Sequence, residues 1–267
     1  MADRLITSLT NETVKAVRAL HMRKEREQTG RFLAEGLKFI GEALDQGRAP
    51  RLLLVGDQAR PHALLDRAKA ETRVSGGEVL VVTHAILEKI SRRDNPQTVL
   101  GVFEQAFTPL DQLDPAGSAC WVALEEVRDP GNLGTIIRTA DAAGCGGVVL
   151  VGDCVDPFSV EAVRATMGSV FAVSISKATQ DEFLAWRAGW SGSVVGTRLD
   201  ATTDYRQAKL TAPALILMGN EQQGLTDRLA AACDVNVKIP MRGRADSLNL
   251  AIATGVMVYA ATDALIG

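Results

Sequence analysis

Three short stretches in the second half of the chain carry the residue types that can do chemistry. In the first, the apolar run Trp121–Leu124 enters Glu125-Glu126-Val127-Arg128-Asp129-Pro130-Gly131-Asn132, and a helix is expected to start near Asn132. Arg138 stands six positions beyond Asn132, about 600° of helical rotation, so the two occupy different faces. Set among Ile136, Ile137, Thr139 and Ala140, its guanidinium needs a partner. That partner is either a phosphate or carboxylate of a ligand, or an acidic residue of a neighbouring helix.

The second stretch, Gly219-Asn220-Glu221-Gln222-Gln223-Gly224, ends the apolar run Leu215–Met218. It has neither the Walker spacing nor G-x-G-x-x-G, so it marks no phosphate cradle and no dinucleotide fingerprint. Its glycines permit close backbone approach to an adenine or ribose edge. Glu221, at the foot of an expected helix Leu225–Cys233, is equally readable as a capping or helix-dipole carboxylate. The third stretch follows the β-like run Val235–Ile239: Pro240, Met241, a Gly/Arg-rich loop, then Ser247-Leu248-Asn249 opening a last helix. Ser247 suits an N-cap with Asn249 in the first turn, and a catalytic reading stands beside that one. Each stretch follows the end of an expected strand, the edge where parallel α/β sheets place ligands, so an enzyme with a small-molecule pocket is the leading reading.

The elements that must position these groups follow from patterning. Downstream of residue 118 the runs Trp121–Leu124, Val148–Val151, Phe171–Ile175, Val194–Gly196, Leu215–Met218 and Val235–Ile239 alternate with helix-like segments. That pattern implies a mostly parallel sheet covered on both faces. The first hundred residues read as a smaller α/β unit, with helices over Asn11–Gln28, capped by Asn11 or Thr13, and over Gly36–Gln46, Pro61–Ala70 and Ala85–Ile90. Its strand candidates are Arg51–Val55, Val79–Val82 and Thr98–Phe103, with Phe32–Leu33 a short apolar piece. Phe107–Gly117 holds two prolines, a glycine and two aspartates, the chemistry of a linker.

Composition removes several classes. With 267 residues, 46% of them hydrophobic and 23% charged, the chain is long enough for a substantial core. No apolar run approaches the roughly 18–20 residues that span a bilayer, and the N-terminus has no secretion pattern, so the expected location is the cytoplasm. Cys120, Cys145, Cys154 and Cys233 are scattered, and His21, His62 and His84 lack ligand spacing, so no metal is expected. The net charge of −3 argues against nucleic-acid binding through global electrostatics. Lys15, Arg18, Arg23, Lys24, Arg26 and Arg31, against only Glu25 and Glu27, nevertheless form a local excess able to neutralise a few phosphates.

Taken together, NLGTIIRTADAAG, LILMGNEQQGL and IPMRGRADSLNLAIATGVMVYA resemble the three signature motifs of the SpoU (TrmH-like) RNA ribose 2′-O-methyltransferases. The resemblance extends through DPFSVEAVRATMGSVF between the first two motifs and, upstream, through NETVKAVRALHMRKEREQTGRFLAEGLKFIGEAL. It implies an α/β fold in two parts: a smaller RNA substrate-binding domain over residues 1–106, similar to a ribosomal-protein fold, then a linker over 107–117 and a SPOUT methyltransferase domain over 118–267. That second domain would hold a parallel sheet, a deep trefoil knot, and S-adenosylmethionine in a bent form, and it would dimerise through the knot so that each site borrows residues from both protomers.

Carried over residue by residue, the resemblance implies cofactor contacts at Gly219, Asn220, Glu221, Gly224, Ile239, Pro240, Met241, Ser247 and Leu248. It implies catalytic roles for Asn132, Arg138, Glu221, Ser247 and Asn249. RNA contacts are expected at Lys15, Arg18, Arg23, Lys24, Arg26 and Arg164. Arg138 is expected to clamp the phosphate and 2′-oxygen, oriented by Ser247 and Asn249, because a guanidinium with pKa above about 12 is a poor base. Leu250-Ala251-Ile252 departs from the family's usual Val-Ser-Val-type run, and Thr166 replaces a common serine, which bears on RNA choice. The separate N-terminal unit points to ribosomal RNA. The alternatives are a transfer-RNA methyltransferase and a non-catalytic RNA-binding ribosome-assembly factor.

Overall fold

The structure, a computed structural model, describes residues 4–266. It divides into two compact units, residues 1–105 with 158–172, and residues 106–157 with 173–267.

In the first unit, β1 (Arg4–Ile6), β2 (Arg31–Glu35), β3 (Leu52–Gly56), β4 (Glu78–Val82) and β5 (Val99–Glu104) form a sheet in the order β1-β4-β3-β5-β2. β1, β4 and β3 run parallel, whereas β5 is antiparallel to both β3 and β2. The helical stretch expected over Asn11–Gln28 is two helices, α1 (Glu12–Ala19) and α2 (Arg23–Thr29). Asn11 caps the first as expected, accepting the amides of Thr13 and Val14. The break falls at Leu20–Met22, where Leu20 is buried in the core and the His21 ring contacts the Ile90 carbonyl at 2.6 Å. Tertiary contacts thus override a helical pattern that the sequence continues. Three further helices, α3 (Leu37–Asp45), α4 (Ala63–Val74) and α5 (His84–Ser91), complete the N-terminal part.

The segment 158–172 also packs in this unit, as α7 (Val160–Thr166) and a 3-10 turn at Ser169–Phe171. Phe158 and Phe171 join Phe32 and Phe103 in an aromatic cluster with ring centroids 4.8–5.9 Å apart. This explains why Phe171 is not the start of the expected strand: its ring is claimed by the cluster, and the strand begins at Ser174.

The second unit is built on seven parallel strands in the order β10-β12-β9-β11-β6-β7-β8. These are β6 (Cys120–Glu125), β7 (Gly147–Val151), β8 (Ser174–Ala178), β9 (Val194–Thr197), β10 (Thr203–Asp204), β11 (Ala214–Met218) and β12 (Val235–Lys238). Every residue of β6, β7 and β11 is buried, as central strands covered on both faces must be. Its helices are α6 (Pro130–Ala142), α8 (Gln180–Arg187), the short α9 (Asp227–Ala230) and α10 (Leu250–Ile266). The stretch expected as a linker carries two 3-10 turns, Leu110–Gln112 and Pro115–Gly117. Leu110 and Leu113 pack against the core of this unit, and Thr108 exchanges hydrogen bonds with Ile175 and Ser176 of β8. Among the described residues, no helix is long and apolar enough to cross a membrane.

Candidate active site

The site is assembled where β6, β11 and β12 end. Gly219 follows β11 directly, and a side chain there is impossible: an added Cβ would lie 2.0 Å from the Leu225 amide nitrogen. The loop then pinches into a β-bridge, with Asn220 N–H donating to Gly224 O at 3.1 Å and Gly224 N–H to Asn220 O at 2.9 Å. Gly224, at φ +70°, turns the chain in the left-handed region that favours glycine.

This loop is fastened to the one after β6. The Asn220 side-chain amide donates to Glu126 O at 2.7 Å. The Glu221 carboxylate accepts the backbone amides of Arg128 and Asp129 and the Asn132 side-chain amide, each at 3.2 Å. Asp129, not Asn132, opens α6: its carboxylate accepts Asn132 N–H at 2.6 Å, and Pro130 sits in the first turn.

The third stretch joins the same chain of bonds. Asn249 Nδ2 donates to Asn132 Oδ1 at 2.8 Å, while Asn249 Oδ1 accepts the amides of Ala251 and Ile252 at 2.9 and 3.3 Å. Asn249, rather than the expected Ser247, is therefore the N-cap of α10. The direction of the relay is fixed at both ends, because helix amides only donate and an ionised carboxylate only accepts. One run of hydrogen bonds, α10 amides to Asn249 to Asn132 to Glu221, ties the three stretches together. Burial alone would raise the Glu221 carboxyl. The bonds from Asn132 and from backbone amides outweigh it and hold the group below its ordinary value. Glu221 is thus an anion at neutral pH, fastened to a turn, which suits an anchor and not a proton acceptor.

A cavity of about 810 Å³ opens beside this relay. Of the residues expected to touch a cofactor, Gly219, Asn220, Glu221, Gly224, Ile239, Met241, Ser247 and Leu248 line it, joined by Asn132 and Asn249. Pro240 does not line it. Nor does Arg138, which is exposed on α6 with no hydrogen bond or ion pair to a described residue, so no contact with Ser247 or Asn249 orients it. The alternative, an ion pair from Arg138 to an acidic residue of a neighbouring helix, is not formed among the described residues.

Sequence reasoning missed a group of liners at the end of β9 and just beyond it, Thr197, Arg198, Leu199 and Asp200. Arg198 is fully engaged, bonding Asp200 at 2.8 Å and Asp227 at 2.6 Å. It also missed Glu125, only 1% exposed, which accepts from the Gln180 side-chain amide at 2.7 Å and from the Thr226 amide and hydroxyl at 2.8 and 2.7 Å. Because Thr226 Oγ1 also accepts Leu229 N–H to cap α9, its one proton must go to Glu125. Glu125 thereby holds the root of the Gly219–Leu225 loop. The acidic pair Glu125-Glu126 in the first stretch was the available signal.

Two of the expected RNA contacts are corrected. Arg26 is buried and donates to Leu20 O at 2.8 Å. Arg164 donates to Glu35 Oε1 at 2.6 Å and to Ser91 O at 3.2 Å, within the first unit. Both guanidiniums are spent inside the protein because a buried carboxylate or carbonyl demands a partner. Lys15 pairs with Glu12 and Arg23 with Glu27, both at the surface, while Arg18 and Lys24 are exposed. No group of three or more His, Cys, Asp or Glu among the described residues is placed to hold a metal ion.

The cavity lies within the roughly 300–1,000 Å³ of small-molecule sites. Its apolar side chains, among them Leu199, Ile239, Met241 and Leu248, suit an aromatic ring, and the carboxylates of Asp129, Asp200 and Glu221 suit a cation. An apolar slot with a negative wall fits S-adenosylmethionine, which carries an adenine and a sulfonium.

Comparison with known proteins agrees with the fold and with S-adenosylmethionine as the cofactor. The SpoU rRNA methylase family model matches residues 119–259, and the MRM3-like substrate-binding domain matches residues 11–101. The crystal structure of an AdoMet-bound rRNA methyltransferase from Sinorhizobium meliloti is 48% identical, covers 99% of each chain and superposes with a TM-score of 0.92. AviRb from Streptomyces viridochromogenes, solved with AdoMet, is 30% identical over 95% of this chain and 97% of its own, with a TM-score of 0.85. The 23S rRNA (guanosine(2553)-2′-O)-methyltransferase RlmP of Bacillus subtilis is 30% identical over 95% of this chain and 97% of its length. The chain belongs to the SpoU rRNA methylase family. It is an RNA 2′-O-ribose methyltransferase that uses S-adenosylmethionine as its methyl donor.

Proposed function

We propose that the substrate is ribosomal RNA, and that the working form is a cytoplasmic homodimer joined through a knotted second unit. The observation that carries the assignment of roles is the relay from α10 through Asn249 and Asn132 to Glu221, which brings all three signature stretches to one cavity. Bound S-adenosylmethionine supplies a methyl group on a positively charged sulfur, open to in-line attack by a ribose 2′-hydroxyl. The Gly219–Leu225 loop and the residues around Ile239, Met241 and Leu248 hold that donor. Asn132, Glu221 and Asn249 keep the loops in register, so they position and do not move protons. Ser247 lines the cavity with a hydroxyl that bonds no described residue, which leaves it free for a ligand.

Arg138 fits this scheme only in a dimer. It is exposed on α6 and does not line its own chain's cavity, so in the proposed dimer its guanidinium acts at the partner's. Support comes from α10, which packs against α6, β11 and β6 yet leaves Ile252 and Tyr259 56% and 47% exposed. Large apolar side chains exposed on a helix whose opposite face is buried suit a surface that another chain covers. The return of α10 across β11 to β6, after β12 at the far side of β9, also suits a threaded chain end. In this arrangement Arg138 clamps the target phosphate and stabilises the developing 2′-oxyanion.

Ribosomal RNA is favoured because RlmP and AviRb match along nearly the whole chain, first unit included. Arg138→Ala should reduce methyl transfer to an unmodified 23S rRNA transcript by about 10²–10³ or more, the range for loss of an oxyanion donor. Methyl-donor affinity by calorimetry should stay near native. Near-native turnover in that variant would falsify the role of Arg138, and transfer to transfer RNA but not to ribosomal RNA would overturn the substrate.

A further inference from the structure

The cavity and its rim carry opposite charge. Asp129, Asp200 and Glu221 line the interior against a single guanidinium, Arg198, which is already paired with Asp200 and Asp227. The rim is different. Met241 and Ser247 both line the cavity, and the five residues between them, Arg242-Gly243-Arg244-Ala245-Asp246, are all exposed. Five residues anchored at both ends to one opening cannot stray from it, since even a fully extended chain advances only about 3.5 Å per residue. Neither Arg242 nor Arg244 forms a hydrogen bond or ion pair with a described residue. Asp204, the carboxylate that feels Arg242, is already bonded by Arg206 through its side chain and amide. The sequence elsewhere pairs its surface arginines readily, as Arg51 does with Glu104, Arg67 with Asp45, and Arg187 with Asp234. Other exposed arginines, such as Arg18 and Arg60, are also unpaired among the described residues; what sets Arg242 and Arg244 apart is their place at the mouth of an acidic cavity.

We propose that Arg242 and Arg244 grip backbone phosphates of the substrate RNA flanking the ribose to be methylated. The inference rests on the reading of the cavity as the methyl-donor site. A cationic donor is drawn to the acidic interior, while the polyanionic strand is held at the rim, so the two substrates meet at the opening without competing for the same charges. Guanidinium forks suit phosphate oxygens bidentately, and the glycine between the two arginines lets the loop follow an irregular strand. Because phosphate contacts carry no sequence information, this grip sets affinity and register rather than the choice of nucleotide.

The test uses full-length protein, S-adenosylmethionine and an unmodified 23S rRNA transcript, with RNA binding measured from about 50 to 200 mM salt. In Arg242→Ala/Arg244→Ala, the slope of log K against log salt should fall by about 2, near one per lost phosphate contact. KM for RNA should rise about tenfold or more at low salt, with donor affinity by calorimetry unchanged. Arg242→Lys/Arg244→Lys should restore the salt slope, because the charge returns even though the fork does not. An unaltered slope in the alanine variant overturns the proposal, as does a loss of donor affinity matching the loss of RNA affinity, which would place the loop in the donor pocket. A native protein that binds RNA with a salt slope sensitive to these arginines but transfers no methyl group would instead overturn the functional reading beneath it.

Discussion

The two units each hold a carboxylate tied to distant parts of the chain, and they use it in opposite ways. In the first, Glu35 is buried to 3% side-chain exposure and locked to Arg164, which arrives from 129 positions downstream. In the second, Glu221 stays near the surface and spends its oxygens on backbone amides and Asn132, at the edge of the cavity. The first is a buried ion pair that joins two distant parts of the chain within one unit. The second leaves neighbouring groups such as Ser247 free to meet one. Sign and spacing of charge along a sequence thus say little until burial shows whether a charge is already satisfied.

The largest effect should come from breaking the lock. Arg164→Ala strands the buried Glu35 carboxylate and should cost about 3–5 kcal/mol of stability by denaturant unfolding. It should leave the salt dependence of RNA binding unchanged. A stable variant with weakened RNA binding would return Arg164 to the RNA surface and erase the contrast.

A middle-sized effect should come from Glu125, the buried carboxylate that holds the root of the cavity loop. Glu125→Gln turns one acceptor into a donor facing Gln180 or Thr226, a mismatch of about 1–3 kcal/mol. Affinity for S-adenosylmethionine should fall with it, while kcat at saturating donor stays near native. Exchanging the pair, Glu125→Gln with Gln180→Glu, puts an acceptor at 180 opposite the new amide but leaves the Thr226 hydroxyl facing a donor, so it should recover part of the affinity. If the double variant is no better than the single one, Glu125 does not act through this contact.

The smallest effect concerns acid. Glu221 titrates below its ordinary value when folded, so its contribution is fully present above the unfolded carboxylate pKa of about 4.3 and is lost as pH falls through the folded value. Donor affinity should therefore hold steady from neutral pH down to about pH 5 and decline only below it. Glu221→Gln should flatten that decline. An affinity that changes between pH 6 and 8 through Glu221 would make it a proton-transfer group after all.

Much of this was legible beforehand because it depends on local pattern. Apolar runs without polar interruption gave the central strands β6, β7 and β11 within a residue or so, since strands buried on both faces admit little else. The motifs located the cavity loops because glycine at 219 and 224 answers to backbone sterics that any context would impose. Side-chain partners were less legible. Arg26 and Arg164 read as solvent-facing cations, yet Leu20 O and Glu35 claim them. The α10 cap was assigned to Ser247, although Asn249 alone both caps the helix and bonds Asn132.

By itself, the amino-acid order determined the alternation of strand and helix, the three loops able to hold a methyl donor, and the family to which they are similar. Only the tertiary structure decided which charges are spent and which remain. It joined Asn249, Asn132 and Glu221 into one relay, closed Arg164 onto Glu35, and left Arg138, Arg242 and Arg244 without partners among the described residues. The physical reason is that apolar burial is nearly a property of each residue, whereas a hydrogen bond or ion pair exists only between two groups, and distant pairs meet only when the chain has folded.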